Sequence, residues 1–172
     1  MDRKVIIAGN WKMNKTAAEG KALVEALKGL VADVCPSKAD IVVCPPFTTI
    51  AAVAEAIKGS NIKLGAQNIH WAANGAFTGE IAADMLKELG VEYVIIGHSE
   101  RRQYFGETDE TVNKRVKAAL AAGFKPIVCI GEMLEERESG KTEKVLFTQL
   151  EGGLAGLTKE DMANVVIAYE PV

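Results

Sequence analysis

Val5-Ile6-Ile7-Ala8-Gly9-Asn10-Trp11-Lys12-Met13-Asn14 is a short run of β-branched apolar residues that leads straight into polar side chains. A continuous apolar run of this length reads as a strand buried on both faces. Its exit bears on the fold. A doubly wound nucleotide-binding sheet usually follows its first strand with a glycine-rich turn that admits a phosphate. Here the exit holds the single glycine Gly9 and then an amide, an indole and an ammonium.

Five more runs of the same kind lie at residues 41–44, 62–64, 93–96, 126–130 and 165–169. Helical patterns separate most of them. Thr16 with Glu19 forms a capping box that opens a helix with an apolar stripe of Leu23, Leu27, Leu30 and Val31. A second helix runs from about residue 80 to Leu89 and stops at Gly90, and a third opens near Thr108 and stops at Gly123. Alternating short strands and helices pair in parallel through right-handed crossovers, which makes the class α/β. Strand starts recur about every 32 residues. Eight such units need about 250 residues, the size of a closed eight-stranded α/β barrel. Six are present, so strand count leaves an open sheet and a barrel as alternatives, with residues 1–172 read as one domain.

The 172 residues carry a net charge of −3, with 48% apolar and 25% charged residues. That composition excludes a disordered or collagenous chain and disfavours nucleic-acid binding, which needs a basic surface. No apolar run approaches the roughly 18 residues that cross a bilayer, so no membrane partner is expected. Cys35, Cys44 and Cys129 are odd in number and widely spaced, the usage of a reduced, cytoplasmic protein. Two partial motifs are dismissed. Gly140-Lys141-Thr142 imitates the end of a P-loop but lacks the earlier glycine, where Glu135 stands. Gly97-His98-Ser99-Glu100-Arg101 imitates a nucleophile elbow with Arg101 in the place of its second glycine.

Parallel α/β proteins gather reactive groups at the carboxyl ends of their strands. Those positions hold Asn10 and Lys12, then His98, then Glu170 before Pro171. Singly, each has a plain structural reading: a solvated lysine, a packed histidine, turn chemistry for Asn10, and a strand exit extended by proline for Glu170. Together they suit one reaction, proton abstraction beside a carbonyl. Glu170 is the candidate base. Lys12, His98 and Asn10 would face the oxyanion that develops. Ser99 is expected to cap a short helix through Tyr104 and aim its positive end near His98.

The runs Ala8-Gly9-Asn10-Trp11-Lys12-Met13-Asn14, Gly65-Ala66-Gln67-Asn68, Gly97-His98-Ser99-Glu100-Arg101-Arg102 and Ala168-Tyr169-Glu170-Pro171-Val172 resemble the triosephosphate isomerase family in order and spacing. The resemblance covers the whole chain. It implies a (β/α)8 TIM barrel of which six βα units lie in this chain, and an aldose-ketose isomerase of glycolysis and gluconeogenesis that acts on triose phosphates without cofactor or metal. Glu170 would be the base, His98 the electrophile and proton shuttle, and Lys12 and Asn10 the binders of substrate oxygens and charge. Glu100 would be the buried acid beside the lysine, and Cys129 the small residue near the base.

Residues 64–79, from Leu64 to Gly79, contain no Asp, Glu, Lys or Arg yet include Trp71 and Phe77. An uncharged aromatic loop suits an interface core, with folding back onto its own core as the alternative. The resemblance implies a homodimer through this loop, Thr78 included. It also implies a lid and two further units beyond Val172, which hold the substrate phosphate and would have to come from a longer parent or a separate carboxyl-terminal chain. The alternative reading is a catalytically silent fragment; another barrel enzyme acting on a sugar phosphate fits the four motifs poorly.

Overall fold

Parallel neighbours need a crossover between them, and helices supply it. The computed structural model describes residues 3–172 and divides into two units, residues 3–67 with 84–94, and residues 68–83 with 95–172. In the first, β1 (Val5–Asn10), β2 (Ala39–Cys44), β3 (Ile62–Ala66) and the start of β4 (Val91–Ile96) pair in parallel in chain order. They alternate with α1 (Ala17–Val31), α2 (Phe47–Ala56) and α3 (Ala83–Glu88). In the second lie α4 (Ser99–Tyr104), α5 (Asp109–Ala121), β5 (Lys125–Ile130), α6 (Leu134–Glu138), α7 (Thr142–Gly153), α8 (Lys159–Met162) and β6 (Val166–Tyr169). Strand β6 pairs in parallel with β5, Ile127 opposite Val166 and Ile130 opposite Tyr169. Gly140 to Thr142 joins α6 to α7, so no strand feeds the P-loop imitation.

Two expectations about burial are corrected. Strands β2 to β5 are largely buried, but Val5 is 57% and Ile7 60% exposed, and Ile167 and Tyr169 also face solvent. Each of these outer strands has a pairing partner along one side only within its unit, so apolar composition did not translate into burial. In α1 the buried residues are Gly20 and Val24, whereas Leu23 and Leu30 of the expected stripe are exposed. The contact face is shifted because Gly20 brings α1 close to its neighbours: a Cβ there would meet Thr49 Cγ2 and Trp11. The Thr16–Glu19 capping box is present.

At the amino ends of the strands, Asp40 is buried and takes hydrogen bonds from Lys4 and from the Tyr93 hydroxyl at 2.6 Å, with Lys63 3.4 Å away. Burial alone would raise its carboxyl, but these donors and charges prevail and hold it at about 2. Its own burial, and then the same contact, push the Tyr93 phenol up. A carboxylate held below its unfolded value of ~3.9 stabilises the fold above that value and loses its contribution as pH falls toward about 2. Allowing for solvent around the lysines, Asp40 contributes on the order of 1–2 kcal/mol at neutral pH. Asp40→Asn is therefore expected to lower the thermal midpoint by roughly 2–8 °C at pH 7. The difference from the unaltered chain should shrink when circular dichroism melts are repeated near pH 2.5, and an unchanged gap would contradict this assignment.

Candidate active site

In the first unit, β1 ends at Asn10 and the chain turns through Lys12, which holds φ at 53° in the left-handed region that non-glycine residues seldom enter. Side chains impose that turn. Asn10 Oδ1 accepts from the Lys12 backbone N–H at 3.0 Å. Gln67, just after β3, donates from Nε2 to the Lys12 carbonyl at 2.9 Å and to the Cys44 carbonyl at 2.8 Å, while the Trp11 N–H reaches Cys44 O at 3.1 Å. Strain kept in place by surrounding bonds is common where a side chain must be presented. Asn10 and Lys12 thus come together, with Asn10's oxygen occupied and its amide NH2 the group left for a ligand. Gln67 gained no role from sequence reasoning; an amide directly after a strand was the available signal.

In the second unit, β4 passes through Gly97, at φ 72°, into His98. A Cβ on Gly97 would lie 2.8 Å from Val112 Cγ2, so the turn needs glycine for space as well as conformation. Arg102 holds the turn, donating from Nε to Gly97 O at 2.9 Å and from Nη1 to Asp109 at 2.6 Å. The expected cap of α4 is corrected: the N-cap is His98, not Ser99, because the imidazole Nδ1 accepts the Glu100 backbone N–H at 3.2 Å. An accepting Nδ1 carries no proton, so the ring's N–H is at Nε2. The Glu100 side chain is 41% exposed, which corrects its expected burial.

His98 and Glu170 line one cavity of about 50 Å³, together with Ser99, Arg102, Cys129, Ile130, Gly131 and Ala168. Glu170 stands on the exit of β6, its backbone N–H bonded to Ile130 O at 3.0 Å. Gly131 is clamped by Gln149, whose Oε1 accepts from Gly131 N at 2.9 Å and whose Nε2 donates to Gly131 O at 3.1 Å. Burial pushes the Cys129 thiol up to about 12, against the pull of Arg102 and assisted by the Glu170 and Glu107 carboxylates. A thiol in that state is not a nucleophile at neutral pH. The cavity therefore brings a carboxylate and an imidazole together.

The uncharged loop divides in character. Asn68, Ile69 and His70 are buried, and Arg115 of α5 donates to Asn68 Oδ1 at 3.1 Å and to the Ile69 carbonyl. Trp71 and Phe77 stay part-exposed, Trp71 beneath Arg115 with 5.0 Å to its ring centroid, Phe77 against His70 at 4.3 Å. Among the described residues no helix is long and apolar enough to cross a membrane.

Comparison with known proteins shows the family. The model of the family described as triosephosphate isomerase matches residues 5–172. Triosephosphate isomerase of Clostridium botulinum (Type A) is 62% identical over 170 residues, 99% of this chain and 67% of the relative. That of Acetivibrio thermocellus is 59% identical over 172 residues, 100% of this chain and 67% of its own length. The chain thus spans about two thirds of these relatives, 67% in each case. The crystal structure of triosephosphate isomerase from Bartonella henselae superposes with a TM-score of 0.88 at 44% identity, covering 99% of this chain and 69% of that one. The six parallel strands and their helices are therefore βα units of a TIM barrel. With residues 5–172 matched in this way, the chain belongs to the triosephosphate isomerase family of isomerases.

Proposed function

We propose that this chain interconverts dihydroxyacetone phosphate and D-glyceraldehyde 3-phosphate through an enediolate. The observation that carries the reading is the shared cavity of His98 and Glu170 in a member of this family. The Glu170 carboxylate removes the proton from the carbon beside the carbonyl; the C–H electron pair becomes the carbon–carbon double bond of the enediolate, and the carbonyl π pair moves onto its oxygen. The Nε2–H of His98 supplies a proton to that oxygen and recovers one from its neighbour, while Glu170 returns its proton to the adjacent carbon. Atoms and charge balance without a cofactor. Lys12 offers its ammonium to the anionic intermediate and Asn10 its amide NH2 to the substrate oxygens.

We also propose a cytoplasmic homodimer, with residues 1–172 acting as one domain. The three cysteines are free, which suits a reducing compartment. The loop from Leu64 to Gly79, including Thr78, presents part-exposed Trp71 and Phe77, the aromatic content that interface cores favour. Sedimentation of the chain tests this: a dimer that Phe77→Glu converts to monomer is expected, and a monomer at every concentration contradicts it.

The isomerase reading is tested by coupled assay of the chain alone and of the chain mixed with the carboxyl-terminal third of a relative, which the resemblance identifies as the holder of the substrate phosphate. Turnover in the complemented sample that falls about 10²-fold in Glu170→Asp is expected, since that substitution withdraws the base by about 1 Å. A complemented sample without turnover, or one indifferent to Glu170→Asp, overturns the assignment and leaves the silent fragment.

A further inference from the structure

The structure assigns to Glu132 the task of positioning Glu170, an inference that rests on Glu170 being the base. Glu132 follows β5 by two residues, where a carboxylate would ordinarily turn to solvent, yet its side chain is 0% exposed. A buried carboxylate is costly unless donors surround it. Its Oε1 collects three: Arg137 Nη1 at 2.9 Å, the Tyr169 hydroxyl at 3.1 Å and Thr142 Oγ1 at 3.4 Å. Burial pushes this carboxyl up, but its own backbone N–H, Arg137 and Tyr169 outweigh burial and hold it below the usual carboxylate range.

The Arg137 bond explains little by itself. Arg137 is 57% exposed, and an ion pair with a solvated arginine gives no reason to bury its acid. Tyr169 does give one. It is the last residue of β6 and the immediate neighbour of Glu170, its ring is half-exposed, and its hydroxyl donates to Glu132 Oε1 at 3.1 Å and accepts from Arg137 Nη1 at 3.4 Å, so Glu132 is its shorter anchor. The Glu132 carbonyl accepts the Val172 N–H at 2.8 Å. Glu132 thus grips the chain on both sides of Glu170, by its side chain at Tyr169 and by its backbone at Val172. A strand exit held at those two points sets the direction in which the Glu170 side chain leaves it. The remaining oxygen, Oε2, is buried without a partner among the described residues, so the side chain is held by Oε1 alone and is sensitive to losing Tyr169.

The test uses the full chain labelled with 13C at glutamate carboxyls, the Glu170 resonance being identified by its loss in Glu170→Gln. Tyr169→Phe removes one oxygen and keeps the ring, Glu132→Leu removes all three bonds, and Glu132→Gln restores an oxygen acceptor. In Tyr169→Phe and Glu132→Leu the Glu170 resonance is expected to shift or broaden while the His98 ring signals stay put. In the complemented assay kcat should fall by up to about 100-fold, the cost of a reactive group misplaced by about 1 Å, with KM within about two-fold. Glu132→Gln should recover most of that loss, and Glu132→Leu with Tyr169→Phe should be no worse than Glu132→Leu alone. An unmoved Glu170 resonance in Tyr169→Phe, or losses that multiply in the double variant, overturns the inference. Should Glu132→Leu fail to fold, Tyr169→Phe still decides. Absence of turnover in the unaltered protein counts against the isomerase reading instead, and the resonance then settles positioning by itself.

Discussion

Glu170→Gln is expected to lower triose phosphate turnover by about 10³-fold, the middle of the range for removing a general base, while leaving the thermal midpoint within about 2 °C. Glutamine keeps the shape of the side chain and its capacity to hydrogen-bond, but it does not hold the substrate's proton. Substrate affinity should change little, because the amide still lines the cavity that Glu170 shares with His98. The effect belongs to kcat, since the interaction removed is made as the C–H bond breaks. Exposure of Glu170 keeps the cost to folding small. A matched fall in stability and activity would mean that Glu170 supports the strand exit and not the chemistry.

Gly131→Ala is expected to damage both folding and catalysis. A Cβ on Gly131 would fall within van der Waals contact of the Glu170 carbonyl oxygen and 3.0 Å from its carbonyl carbon. Neither side yields easily. Gln149 clamps both backbone groups of Gly131, and the Glu170 N–H is tied to Ile130 O at 3.0 Å. The overlap is backbone against backbone, so the segment carrying Glu170, the proposed base, must move outward by about 1 Å, a displacement expected to cost about 10²-fold in rate. Overpacking of this kind costs about 1–3 kcal/mol, or roughly 2–12 °C in thermal midpoint for a chain of this size. Gly29→Ala serves as the control, because nothing lies within 4 Å of a Cβ at that position on α1. It should be neutral or stabilise by up to about 1 kcal/mol. Equal behaviour of the two variants would contradict the close approach of Gly131 and Glu170.

How much of this was legible in the sequence varies from one residue to the next. The six strands sit where β-branched runs predict them, and the capping box at Thr16 marks the start of α1, because those signals are local. Exposure of Val5 and Ile7 was not legible, since burial of a strand depends on what pairs and packs with it. The contact face of α1 shifted for a related reason: the absent side chain of Gly20 sets that contact, and apolar periodicity counts side chains that are present. His98, Glu170, Asn10 and Lys12 are proposed from their place after strands. The left-handed turn at Lys12, held by Gln67, depends on bonds between residues far apart in the chain. His98 capping α4 through its own ring displaced the expected Ser99, whose hydroxyl is the commoner cap. Glu132 was missed because a charged residue after a strand looks solvated until its burial is seen.

The most direct measurement of the central claim is hydrogen exchange in D2O, followed by proton NMR of dihydroxyacetone phosphate incubated with the complemented chain. If Glu170 abstracts and returns the proton through an enediolate handled by His98, deuterium enters at the carbon beside the carbonyl. The entry should slow about 10³-fold in Glu170→Gln. Exchange that is absent from the unaltered sample, or that persists undiminished without the Glu170 carboxylate, would contradict the account.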